Sequence, residues 1–219
     1  MPKVTDAYLS DKRSFILECT RATLEEKPLY LITMRDIIKE AGFSQGVIYR
    51  YYLSLDEIYI DFINNYTASN HLEQSINALL GSKQSEKVIL TECFLAMGDF
   101  IAELLASPVG KPFFELLILY SSDDEKRDAV FPKLKVKQSL EYAQYKIVEY
   151  SMHNIEKGVF HPQIPAGSLI QFVNVFIDGV FQSAVFNATK EDIRDSGLVT
   201  DIPEMFRTLA VVIVGLLEV

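Results

Sequence analysis

Residues 33–52, TMRDIIKEAGFSQGVIYRYY, constrain the fold more than any other stretch of this chain. Thr33 and Asp36 have the spacing of a capping box, in which the hydroxyl serves a backbone N–H at a helix start and the acid reaches back to the cap. Met34, Ile37, Ile38 and Ala41 then recur at i, i+3, i+4 and i+7, the apolar stripe of a helix lying on a core. Gly42 stops that helix, because glycine enters the left-handed conformation without a steric penalty. Ser44 can cap a second helix that runs to about Tyr52. Its inward positions are Ile48 and Tyr52, while Gln45, Gly46, Tyr49 and Arg50 point outward. A helix, a turn of about four residues containing Gly and a second short helix make a helix-turn-helix.

The rest of the chain also reads as helix, with no useful run of period-two alternation to suggest strands. Residues 11–27 place Phe15, Cys19 and Ala22 on one face before Pro28 ends the run. Ser54 and Glu57 form another capping box. Further helices are expected near 54–79, 85–106, 111–121, 123–157, 166–187 and 201–218, with Pro132 breaking or kinking the fourth of these. Breaks are expected at Gly81-Ser82, Ser107-Pro108, 161–165 and 195–200. Helices 166–187 and 201–218 are apolar in nearly every direction, so each should be covered on all sides. Their own core can cover one side; a second copy of the chain would cover the other, which predicts a homodimer.

Composition narrows the function. The 219 residues suffice for a sizeable core, and the balance of 49% hydrophobic to 23% charged is that of a globular protein. The two cysteines, Cys19 and Cys93, lie far apart and fit no metal spacing, so two buried free thiols in a reducing compartment are expected. The start of the chain shows no signal peptide, and the longest apolar run, nine residues from Leu209, falls short of the about 20 needed to span a bilayer. No membrane association and a cytoplasmic location follow as expectations. The net charge of −9 argues against nucleic acid as a partner until its distribution is considered. Residues 1–60 carry eight Lys/Arg against nine Asp/Glu, whereas residues 61–219 carry thirteen against twenty-one. Any DNA contact therefore belongs to the N-terminal part and uses a few placed groups rather than a broad basic surface.

The outward residues of 33–52 suit that task. Gly46 lets the backbone approach DNA closely, and Gln45 can bond base edges in the major groove. Tyr49, Arg50 and Tyr51 offer phenol and guanidinium groups to phosphates. Thr33 and Ser44 sit at helix N-termini, where free N–H groups favour a phosphate oxygen. Here the sequence resembles the TetR family of bacterial transcriptional regulators. Thr33, Asp36, Ile37, Ala41, Gly42, Phe43, Ser44, Gly46, Ile48, Tyr49, Tyr51 and Tyr52 stand in register with that family's pattern. Three positions depart from it: Ile38 replaces a usual Ala, Pro28 a common Gly, and Leu55 a frequent phosphate-binding Lys. Beyond this region the resemblance is one of architecture. It implies an all-α fold, with an N-terminal three-helix helix-turn-helix unit over 1–53. A larger C-terminal helical bundle over 54–219 would hold a small-molecule pocket and a two-helix dimerisation face.

Candidate pocket walls are Phe94 and Met97 on one helix, Phe114 and Leu117 on the next, and Tyr142 and Tyr145 beyond. Gln171, Asn174, Asp178 and Gln182 form a polar stripe on an otherwise apolar helix. Such groups need partners, either as a hydrogen-bonded seam between two copies or as contacts to a ligand, with Asn174 and Asp178 the best placed for the latter. No nucleophile–base spacing, phosphate-binding Gly loop or HExxH motif suggests an enzyme, and no cofactor is expected. The reading is a dimeric regulator that binds a palindromic operator in double-stranded DNA and responds to an unknown small molecule. A regulator of the same fold acting through protein contacts alone is the alternative.

Overall fold

The computed structural model describes residues 6–67, 71–187 and 201–217. Among them there are eleven α-helices, two short 3-10 turns and no strand. The helices are α1 (Asp6–Glu26), α2 (Met34–Ala41), α3 (Gln45–Ile48), α4 (Leu55–Tyr66), α5 (Leu72–Leu80) and α6 (Glu86–Ala106). They continue as α7 (Gly110–Ser121), α8 (Asp124–Val130), α9 (Lys135–Glu156), α10 (Ala166–Asn187) and α11 (Ile202–Leu216). Two expected helices are each divided. The 54–79 run is α4 and α5, and the 123–157 run is α8 and α9 separated by a 3-10 turn, Phe131–Lys133. The second division has a simple cause, because Pro132 lacks the N–H that a continuous helix needs. The expected break at 195–200 lies outside the described residues.

The chain forms two compact units. The first comprises Met1–Ala68 and Glu115–Lys135, the second Ser69–Phe114 and Val136–Val219. In the first, α1 packs on α2 and α4 around Ile16, Ile37, Ile48, Ile58 and Phe62, all of them buried. The later segment is bound into this unit by directed bonds. Glu115 accepts from the Leu29 N–H at 3.0 Å. Asp56 accepts from the Tyr120 hydroxyl at 2.6 Å and from Lys126 Nζ at 2.5 Å. The Asn64 side chain brackets the turn before α9, donating to the Lys133 carbonyl and accepting from the Lys135 N–H.

In the second unit, α5 and α11 both pack on α6. Gly98 sets how close α6 and α11 come: a Cβ built there would lie 2.6 Å from Cβ of Phe206, inside any tolerable contact. Phe114 packs against Phe113 and Phe181 in the same core, with ring centroids 5.0 and 4.8 Å away. The turn after α9 closes on the end of α11. There the His161 and Gln163 N–H groups donate to the Leu217 and Leu216 carbonyls, supplying partners to a helix end that otherwise lacks them.

Helices α10 and α11 are each half covered by this unit. Leu169, Ile177 and Val180 of α10 and Phe206, Leu209 and Ile213 of α11 are buried. Val175 (70% exposed), Val211 (69%) and Phe172 (48%) are not. Val180, apolar like these and on the same helix, is 0% exposed and belongs to the chain's own core.

Both cysteines are free and buried, as their spacing predicts. Burial pushes the Cys93 thiol up to about 12, which leaves it protonated and unreactive at neutral pH.

Candidate functional site

The first candidate site is the surface built by α2, its turn and α3. The capping box is complete: the Asp36 N–H donates to the Thr33 hydroxyl, and Asp36 Oδ2 accepts from the Thr33 N–H at 2.8 Å. Lys27 Nζ adds an ion pair to Asp36 Oδ1 at 2.5 Å. The Lys27 ammonium first, and the Thr33 hydroxyl and N–H after it, lower the Asp36 carboxyl to about 2. Gly42 adopts φ +63°, the left-handed end that the sequence predicts, and aims the chain into α3. A side chain other than glycine would be strained there.

Only Gln45–Ile48 is regular α-helix in this second element. Tighter bonds extend it, from the Arg50 N–H to the Val47 carbonyl and from the Tyr51 N–H to the Ile48 carbonyl. Ile48 and Tyr52 are buried beneath it, as expected. The Tyr52 hydroxyl donates to Asp61 Oδ2 at 2.5 Å, and the Arg13 guanidinium lies 5.4 Å from the ring centroid. Burial and the Asp61 carboxylate raise this phenol well above its usual range, so it stays neutral and structural. Phe43 from the turn packs on Phe15 of α1, with centroids 5.4 Å apart, under Lys12 Nζ at 4.6 Å.

This frame leaves Thr33, Ser44, Gln45, Gly46, Tyr49 and Arg50 exposed on one short stretch, with Tyr51 half-buried. Ser44 occupies the cap position with extended backbone, but its hydroxyl makes no capping bond. A Cβ on Gly46 would meet nothing within 4 Å. No internal contact therefore demands glycine there, and its smallness matters only to something approaching from outside.

The second candidate site is a cleft in the other unit, partly open to solvent. Phe94 and Met97 of α6 and Ile213 of α11 form one wall, with Leu217 just beyond α11. α9 contributes Gln144, Ile147, Val148, Ser151 and Ile155, and α10 contributes Leu169, Ile170, Val173, Asn174 and Ile177. Across α9 and α10, Gln144 Nε2 donates to Asn174 Oδ1 at 2.6 Å.

Three of the expected pocket residues meet here: Phe94, Met97 and Asn174. Five others lie elsewhere. Phe114 is spent in the core cluster with Phe113 and Phe181. Leu117 belongs to the first unit. The Tyr142 hydroxyl donates to Asn77 of α5. Tyr145 is 62% exposed, and its hydroxyl donates to Glu149. Asp178 is exposed, one turn beyond Asn174.

The sequence reading passed over Gln144 and Ser151. Their signal was available, because 144, 147, 148, 151 and 155 make an i, i+3, i+4 stripe along α9. Tyr142 and Tyr145 of that helix are engaged elsewhere, with Asn77 and Glu149. Among the described residues, no His, Cys, Asp and Glu side chains cluster as a metal site, and no helix is long and apolar enough to cross a membrane.

Comparison with known proteins agrees with this geometry. Residues 16–61 match the model of the bacterial regulatory proteins of the tetR family, a span that holds the whole helix-turn-helix. The chain is 26% identical over 208 residues to YfiR, an HTH-type transcriptional regulator of Bacillus subtilis (strain 168), covering 90% of this chain and 91% of YfiR. Its fold is similar to that of FadR from Bacillus subtilis in complex with stearoyl-CoA, with a TM-score of 0.58 and 15% identity, covering 92% of this chain and 97% of that one. It is similar, too, to Thermus thermophilus FadR in complex with lauroyl-CoA, a TetR family repressor, with a TM-score of 0.53 and 17% identity over 92% of each chain. Over residues 16–61 the chain is similar to the bacterial regulatory proteins of the tetR family, and over most of its length to an HTH-type transcriptional regulator.

Proposed function

We propose that this regulator binds a palindromic operator in double-stranded DNA as a cytoplasmic homodimer, one α3 to each half-site, and represses until a small molecule enters the cleft. DNA contact falls to residues 1–53, and ligand and dimer contacts to residues 54–219. Thr33, Ser44, Tyr49, Arg50 and Tyr51 hold phosphates, Gln45 reads a base edge, and Gly46 admits the backbone. Phe94, Met97 and Asn174 contact the ligand. The exposed apolar residues of α10 and α11 meet their counterparts on the second copy.

The observation that carries the ligand half of this reading is the cleft itself, an apolar hollow with a few convergent polar groups, the usual form of a small-molecule site. Release needs no contact between cleft and DNA. A ligand that binds better to a conformation with altered spacing of the two α3 helices weakens operator binding by linkage.

The test is selection of bound fragments from genomic DNA, followed by titration at several salt concentrations. Specific binding whose affinity falls with salt, by a sedimenting dimer, is the expected result. A dimer with no salt-dependent DNA affinity would favour the alternative, action through protein contacts, to which Leu55 in place of a phosphate-binding Lys lends some support.

A further inference from the structure

Residues 1–60 carry eight Lys/Arg, and seven of these fall among the described residues. Four of the seven are engaged. Arg13 pairs with Asp61 at 3.8 Å, and Arg21 with Glu18 at 3.0 Å and Glu25 at 2.5 Å. Lys27 is tied to Asp36, and Lys12 lies over the Phe43 ring. The other three are Arg35, Lys39 and Arg50. Each is exposed, and none makes an ion pair with another described residue. All three stand in the helix-turn-helix, two of them on α2.

α2 also sorts its charges. Ile37 and Ala41 are buried, which leaves 35, 36, 39 and 40 on the outer half. Residues four apart share a flank of a helix, so Arg35 and Lys39 lie on one flank and Asp36 and Glu40 on the other. The acidic flank is turned to α1. Asp36 is bound by Lys27, just beyond the end of α1. Burial, and after it the Glu40 carboxylate, raise the Cys19 thiol of α1. The basic flank is the surface of α2 that neither the core nor α1 claims. When the second helix of such a motif enters the major groove, the first crosses the phosphate backbone. A guanidinium and an ammonium with no carboxylate to neutralise them suit phosphate oxygens.

We propose that Arg35 and Lys39 form a phosphate-binding flank, with α2 lying along the DNA backbone beside the groove that α3 enters. This rests on the reading of α2 and α3 as the DNA-contacting surface. It adds a second helix that supplies charge without reading sequence, and that carries more of the electrostatic hold than Arg50 alone.

The experiment uses the full chain and two probes, a duplex of random sequence and the fragment selected with the parent chain. Affinity is followed by fluorescence anisotropy between about 50 and 200 mM salt. The double variant Arg35→Ala, Lys39→Ala should lose roughly tenfold or more in affinity for both duplexes, so that their ratio stays as in the parent. Its salt slope should fall by about one unit per side chain and half-site. Melting temperature and sedimentation should not change, because both side chains are exposed and alanine suits a helix. Arg35→Lys with Lys39→Arg keeps the charges and should keep most of the slope. Lys135→Ala removes an exposed cation of the same unit outside the helix-turn-helix and should leave the slope alone.

A parent slope retained in the double variant would overturn the proposal and leave the DNA surface on α3. So would an equal loss in Lys135→Ala, which would mark an effect of overall charge. A loss confined to the selected fragment would overturn the phosphate assignment in favour of base reading. A parent chain that binds neither duplex would overturn both this proposal and the reading of α2 and α3 as the DNA surface.

Discussion

The helix-turn-helix surface and the cleft have opposite designs. On the first, a buried frame of Ile37, Ile48 and Tyr52 holds a row of exposed polar side chains outward. In the second, the polar groups are few and turned toward a hollow, and the residues left outside on α10 and α11 are apolar. One region presents its polar groups outward on a surface; the other turns a few of them toward a hollow. The lesson is that a substitution should reveal its region by what it leaves unchanged.

The largest effect is expected on the apolar outer face. Val175→Glu or Val211→Glu should raise the dimer dissociation constant by a factor of a hundred or more, about 3 kcal/mol for a charge buried without a partner. Both residues are well exposed in the single chain, so the helices should still form, as circular dichroism would verify. Val180→Glu is a control of a different kind, since Val180 is 0% exposed and its charge should unfold the unit instead. Sedimentation of the unmodified chain as a monomer at micromolar concentration would remove the dimer from the comparison.

The recognition surface should respond next. Gln45→Ala should relax preference at one base position, at a cost of about 1–3 kcal/mol. Arg50→Ala should weaken all sequences nearly equally and reduce the salt slope by about one unit. Neither should alter ligand binding. Altered folding or dimerisation in either variant would blur the proposed division of labour.

Smaller still is the effect of the frame beneath that surface. Thr33→Ala removes a formed cap and should cost about 1 kcal/mol in thermal or denaturant unfolding. Asp36 adds a pH signature. Its folded-state value of about 2 lies below the ordinary 3.8, so the stability it contributes is present above pH 3.8 and is lost as the pH falls toward 2. Asp36→Asn should flatten the melting temperature in that acid window relative to the parent. An unchanged acid profile would mean that the Lys27 pair contributes nothing.

How much of this was legible in the sequence also differs between the two regions. The capping box, Gly42 and the Ile48/Tyr52 anchors are local: each depends on residues within a few positions, so spacing alone could place them. The cleft is assembled from four helices and the residue after α11, distant in sequence, and no short motif records it. Phe94, Met97 and Asn174 line it because their helix faces converge. Phe114 and Tyr142 were equally aromatic or amphipathic, and only packing shows one joined to Phe181 and the other to Asn77. The division of 123–157 was foreseeable from Pro132, whereas the division of 54–79 carries no such marker.

Gly98 has a mechanical consequence. Where α6 meets Phe206 there is no slack, so α6 and α11 form a fixed jaw carrying Phe94, Met97 and Ile213. On the other side, α9 and α10 are joined by the Gln144–Asn174 amide pair, and the Phe176 ring of α10 rests on Phe206 itself, with centroids 5.6 Å apart. The far side of α10 carries Phe172 and Val175. In the proposed dimer, a ligand that displaced α10 would therefore also shift the joint between two copies.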